Sequence, residues 1–114
     1  MSSRAELRAG IDAALSEHPL LLYLKGTPSA PACGSSAALV DLLAELGYGE
    51  EGYAHQDVTR EPELRYVLAQ RSGQAELPQL FAGGQLLGGV DACYALYAEG
   101  QLAARLSGAV KGGA

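Results

Sequence analysis

The feature that most limits what this chain can fold into is the apolar segment Leu20–Leu24 together with the turn beyond it. Five apolar residues stand between Pro19 and Gly26, the pattern of a short strand covered on both faces. The turn comprises Lys25, Gly26, Thr27 and Pro28, with a second break at Pro31. Beyond Cys33 the spacing of Leu39, Leu42, Leu43 and Leu46 predicts a helix with one core-facing stripe, stopped at Gly47. A buried strand that feeds a helix needs a parallel partner strand, so the chain is committed to an α/β sheet.

The remaining segments fill in that sheet. Leu7, Ile11 and Leu15 predict an N-terminal helix capped at Ser2 or Ser3, with Pro19 after its end. Residues 53–58 read as a weaker strand. Thr59 reads as the cap of a helix with Leu64, Val67 and Leu68 inside. Residues 77–82 and 85–87 read as strands joined at Gly83 and Gly84, a tight hairpin signal. Asp91 reads as the cap of a helix over 92–99, and a last short helix runs from Gly100 to about Leu106. The order predicts a small mixed sheet with helices on both faces. It is one domain spanning 1–114, with its core over about 7–106 and a flexible tail over 107–114.

Cys33 falls where strand, loop and helix meet, the end of an open α/β sheet where ligands bind. At a helix N-terminus, unpaired N–H groups and the dipole favour a thiolate, and Lys25 is the nearest cation in sequence. Such thiols are reactive. The thiol is also alone, because the position three residues on is Ser36.

Composition excludes several classes. Two cysteines make no disulfide scaffold, and whether Cys33 pairs with Cys93 stays open; Cys93 reads as a packed helix residue. The net charge of −5 argues against general nucleic-acid binding. No apolar run reaches a membrane span and no signal region is evident, so a cytoplasmic, reducing location is expected. His18 and His55 lack metal-ligand spacing. Tyr66, Tyr94 and Tyr97 read as core or edge residues.

Taken together, the lone Cys33 after a Lys25–Pro28 turn, the segment Leu77–Phe81 with Pro78, and Gly88–Asp91 resemble a monothiol glutaredoxin, over about residues 7–106. The resemblance implies a thioredoxin-like fold of four strands with an extra N-terminal helix, and a cis peptide at Pro78. It implies glutathione as cofactor and a 2Fe–2S cluster shared across a homodimer, with Cys33 as nucleophile and cluster ligand. By the same resemblance, Lys25 and Arg65 meet the glycine carboxylate of glutathione, and Leu77 offers its backbone to the cysteinyl part. Val90 and Asp91 receive the γ-glutamyl end. Iron–sulfur acceptors or BolA-like proteins are the implied partners.

This chain departs from the family's Cys-Gly-Phe-Ser pattern, with Ser35 in place of the aromatic residue, and carries Glu76 where the family has Thr before the dipeptide at Pro78. Both changes bear on cluster retention. Three functions therefore stand side by side: a cluster carrier, a glutathione-dependent disulfide oxidoreductase acting on protein–glutathione mixed disulfides, and a thioredoxin-fold interaction module without the pocket.

Overall fold

The computed structural model describes residues 2–112. Helix α1 (Arg4–Glu17) opens with a capping box, in which the Ser3 hydroxyl accepts the Glu6 N–H and the Glu6 carboxylate accepts the Ser3 N–H. Strand β1 (Leu20–Leu24) is buried along its whole length. A small hairpin of β2 (Gly26–Thr27) and β3 (Ala30–Pro31) leads to α2 (Gly34–Glu45). Then come β4 (Ala54–Asp57), α3 (Leu64–Ser72), β5 (Gln79–Ala82), β6 (Gln85–Gly88), α4 (Val90–Ala98) and α5 (Leu102–Gly112).

The main sheet has the order β4-β1-β5-β6. β1 runs parallel to β4 and antiparallel to β5, and β6 is antiparallel to β5. Alternation along β1 explains its unbroken apolar run. Leu20, Leu22 and Leu24 pack with Leu39, Leu43 and Leu102 on the face covered by α2, α4 and α5. Leu21 and Tyr23 pack with Ile11, Val67 and Phe81 under α1 and α3. Both faces are covered, so neither set of side chains could be polar. At the hairpin, Gly83 and Gly84 both have positive φ, 61° and 80°, as a primed two-residue turn requires.

Four expectations are corrected. The β2–β3 hairpin was not expected; it exists because Gly26, at φ 89°, lets the chain turn back close to itself. A Cβ there would stand 2.5 Å from the Ala30 carbonyl oxygen. α3 begins at Leu64 rather than Thr59, because the Asp57 carboxylate takes both the Thr59 N–H (2.9 Å) and its hydroxyl (2.6 Å) and holds that segment as a turn. α4 begins at Val90 with Gly89 as its cap, placing Asp91 inside the first turn instead of before it. α5 continues to Gly112 where a tail from 107 was expected. Leu102 and Leu106 are fully buried and Ala109 packs on the same core, so the apolar stripe continues past Leu106; residues 113–114 lie outside the described residues. Among the described residues, no helix is long and apolar enough to cross a membrane.

Candidate functional site

Strand register gathers the predicted residues at one end of the sheet. Leu24 at the end of β1 pairs with Asp57 at the end of β4, Tyr23 with Gln79 at the start of β5, and Leu80 with Gly88 at the end of β6. The helices that come after β1, β4 and β6, namely α2, α3 and α4, therefore all begin at this end. Lys25, Cys33, Arg65, Leu77, Pro78, Val90 and Asp91 belong to it by topology.

Cys33 is the cap of α2. Its sulfur accepts the Ser36 N–H at 3.4 Å and lies 3.2 Å from the Ser36 hydroxyl oxygen. That oxygen, on a side chain with no solvent exposure, also accepts the Lys25 backbone N–H at 3.2 Å. With its acceptor side occupied, the Ser36 hydroxyl is set to donate to a thiolate. The Ser36 hydroxyl bond is the largest influence lowering the Cys33 pKa; partial burial opposes it, and the Ser36 amide, the Lys25 charge and the Ser35 amide add to it. The half-buried sulfur is both reachable and charge-stabilised, the combination a nucleophilic or metal-binding thiol needs. Lys25, expected as the chief cation, acts behind Ser36.

The neighbouring loops are fixed by specific bonds. Asp57 accepts the Gly26 N–H at 3.1 Å, and the Ala32 N–H reaches the Lys25 carbonyl at 2.8 Å, so the turn before Cys33 is tied at both ends. The Thr59 hydroxyl first, then backbone N–H groups and Arg60, hold the Asp57 carboxyl below the usual range against slight desolvation. The Leu77–Pro78 peptide is cis. Just before it, the buried Gln79 amide donates to the carbonyls of Gln74 (2.8 Å) and Glu76 (3.0 Å) and pins that loop. Leu77 is half-buried, while Glu76 and Ser35 are exposed.

A Cβ on Gly89 would come within 3.2 Å of the Pro78 carbonyl, so the start of α4 approaches Pro78 closely where side chains are missing. Val90 is half-buried and Asp91 exposed in the first turn of α4; Arg65 is exposed in the first turn of α3. Among the described residues no ion pair ties Arg65, Lys25 or Asp91 to another residue.

Three contributors escape a reading of the sequence: Ser36, Asp57 and Gln79. Ser36 carries a signal, since a residue three positions into a helix commonly exchanges bonds with its cap; in the sequence it stands out only as a missing second cysteine. Cys93 is fully buried and unpaired, and burial pushes its thiol up to about 11, which leaves it inert. Among the described residues no three His, Cys, Asp or Glu side chains gather as a metal site.

Known proteins resemble this chain in sequence and in fold. A model of the glutaredoxin family matches residues 20–87. Glutaredoxin 4 of Escherichia coli (strain K12) is 39% identical over 88 residues, covering 77% of this chain and 74% of that protein. The mitochondrial monothiol glutaredoxin-5 of Saccharomyces cerevisiae is 35% identical over 98 residues, covering 86% of this chain and 65% of that one. Among solved structures, a buckwheat glutaredoxin–glutathione complex superposes with a TM-score of 0.80 at 22% identity, over 93% of this chain and 92% of the other. That likeness establishes the thioredoxin-like fold expected from the resemblance.

Proposed function

The chain belongs to the glutaredoxin family, and on that premise we propose that it is a monothiol glutaredoxin that binds and transfers a 2Fe–2S cluster with glutathione as co-ligand. The observation that carries this reading is the single reachable thiolate. A 2Fe–2S unit takes four sulfur ligands. Cys93 is sealed in the core, so each chain supplies one sulfur, a homodimer supplies two, and two glutathione thiols complete the set. The cluster is cargo, received and passed on to acceptor proteins, BolA-like partners among those the family suggests.

The residues gathered at this end of the sheet offer a group for each part of glutathione. Lys25 and Arg65 offer charge to its glycine carboxylate, and the backbone at Leu77, before Pro78, can pair with its cysteinyl part as an added strand. The α4 N-terminus at Val90 can take the γ-glutamyl carboxylate, with Asp91 on its ammonium. Two unpaired cysteines are consistent with a reducing compartment such as the cytoplasm. Anaerobic reconstitution with iron, sulfide and glutathione should give a coloured dimer and should fail in Cys33→Ser. A colourless monomer from the native protein would end the cluster reading.

A second reading is favoured by Ser35. Its short exposed side chain leaves Cys33 open where an aromatic ring would shield a cluster. In this reading the Cys33 thiolate attacks the glutathione sulfur of a protein mixed disulfide, and the client cysteine leaves as a thiolate. A second glutathione thiolate then attacks the Cys33–glutathione disulfide, restoring Cys33 and releasing oxidised glutathione; no cysteine at position 36 is required. Turnover of a glutathionylated protein together with a Cys33–glutathione adduct by mass spectrometry would support it, and absence of both removes it. If calorimetry detects no glutathione binding at all, the interaction-module alternative stands instead.

A further inference from the structure

Aromatic residues aside, two polar side chains are buried among the described residues, Ser36 and Gln79. Ser36 serves the Cys33 thiol. Gln79 is 1% exposed at the start of β5, and its Nε2 donates to the Gln74 carbonyl at 2.8 Å and the Glu76 carbonyl at 3.0 Å. Both amide hydrogens are thereby used, and Oε1 is left buried without a partner. Such orphans are rare in native proteins and each calls for an explanation. Turning the amide over would set Oε1 against two carbonyl oxygens, so the orphan comes with the two bonds. A neutral amide also suits the place. A buried lysine or arginine would bring an unpaired charge, and a carboxylate has no hydrogen to give.

The bond to Glu76 fixes a direction. The Glu76–Leu77 peptide is trans, so its carbonyl and its N–H point opposite ways in one plane. Gln79 draws the Glu76 carbonyl toward its own buried amide, which turns the Leu77 N–H away from it. The ladder between β5 and β1 ends at Gln79 and Tyr23. Beyond that end, neither the N–H nor the C=O of Leu77 takes part in a backbone hydrogen bond among the described residues. The bond to Gln74 braces the start of the same loop, where the Gln74 carbonyl also accepts the Ser72 hydroxyl at 3.1 Å. Gln74 and Glu76 are themselves exposed. Without Gln79, water would take up the Glu76 carbonyl and leave the peptide plane free to rotate.

We propose that Gln79 is a positioning residue for glutathione. By holding the Glu76–Leu77 peptide plane from inside the protein, it presents the Leu77 N–H to the cysteinyl carbonyl of the tripeptide. This role rests on the glutathione reading given above and adds to it a residue that stands behind the binding surface. The unpaired Oε1 is tolerated because the two N–H bonds on the other side of the same amide set the donor that the ligand meets.

The test is anaerobic calorimetry with reduced glutathione on the native protein and on Gln79→Met, whose side chain has similar length and no hydrogen to donate. A parallel amide NMR titration of the native protein should move the Leu77 resonance downfield to saturation. Gln79→Met should weaken glutathione about three- to tenfold, the loss expected when one oriented hydrogen bond goes. Iodoacetamide should still alkylate Cys33 of the variant at the native rate, because that reaction needs no grip on the tripeptide. A weakened affinity together with equally slowed alkylation would mark general disorder of the site and overturn the positioning role. So would a Leu77 amide in the native protein that stays still at saturation, a measurement that does not depend on the variant folding. If the native protein binds no glutathione, the reading beneath this role falls and takes the role with it. If it binds and moves the Leu77 amide, yet Gln79→Met binds equally well, the positioning role alone falls.

Discussion

Ser36→Ala removes one hydroxyl from a position without solvent exposure. That hydroxyl accepts the Lys25 N–H at 3.2 Å and faces the Cys33 sulfur at 3.2 Å. As a donor to a thiolate it is a charge-assisted bond, worth about 1.5–3 kcal/mol. Water reaches the half-open sulfur and replaces part of the loss, so about 1–1.5 kcal/mol is the expected effect. This lowers the thiolate population below the pKa about five- to twelvefold. A more basic thiolate is also intrinsically more nucleophilic, with a Brønsted slope of about 0.4–0.5, which cancels nearly half of that in logarithmic measure.

Iodoacetamide alkylation should therefore slow about two- to fourfold in mild acid. Above both pKa values, the variant should react about two- to threefold faster than the native protein. Two pH–rate profiles that cross are the signature. The Cys33 pKa is lowered in the folded protein, so the stability this thiolate contributes is complete above the unfolded value of about 8.5 and is lost as pH falls through the folded one. Ser36→Ala narrows that window from its acid side. It also strands the Lys25 N–H, at about 1–3 kcal/mol, which a thermal melt reports separately. Superimposable profiles would refute the assignment of the thiolate to Ser36.

Native-state alkylation read by intact mass should label Cys33 alone, with Cys93 reacting only in denaturant. Because burial raises the Cys93 pKa to about 11, its contribution to stability is intact below about pH 8.5 and fades as pH rises toward 11; a second label under native conditions contradicts this. Gly26→Ala places a Cβ at φ 89° within 2.7 Å of the Ala32 nitrogen. It should cost about 2–3 kcal/mol in chemical denaturation, and an unchanged midpoint would remove the need for glycine there. Lys25→Ala should weaken glutathione about five- to tenfold by calorimetry, and less so at high salt. The same substitution should change Cys33 alkylation at neutral pH less than Ser36→Ala does; the reverse ranking would put the lysine first.

Much of this was legible in local pattern. The apolar run Leu20–Leu24, the paired glycines at 83 and 84, and the leucine spacing after Cys33 each impose an element through backbone sterics and burial, which act over a few residues. The position of Cys33 at a helix start arises in the same way. The start of α3 was misplaced because Thr59 has two possible uses, helix cap or partner of Asp57, and the choice depends on a carboxylate positioned by the sheet. The end of α5 was misplaced because Gly108 and the sparse apolar residues after Leu106 look like a fraying end until the core supplies a surface for Ala109.

The sequence by itself determined the element order, the doubly covered central strand and the lone thiol at a helix cap, since hydrophobic periodicity and turn chemistry are local properties. Only the tertiary structure decided that Ser36, braced by the Lys25 amide, stands against that thiol and favours its charged form. Hydrogen bonds act over about 3 Å, and which groups come that close is settled by how strands register and helices dock.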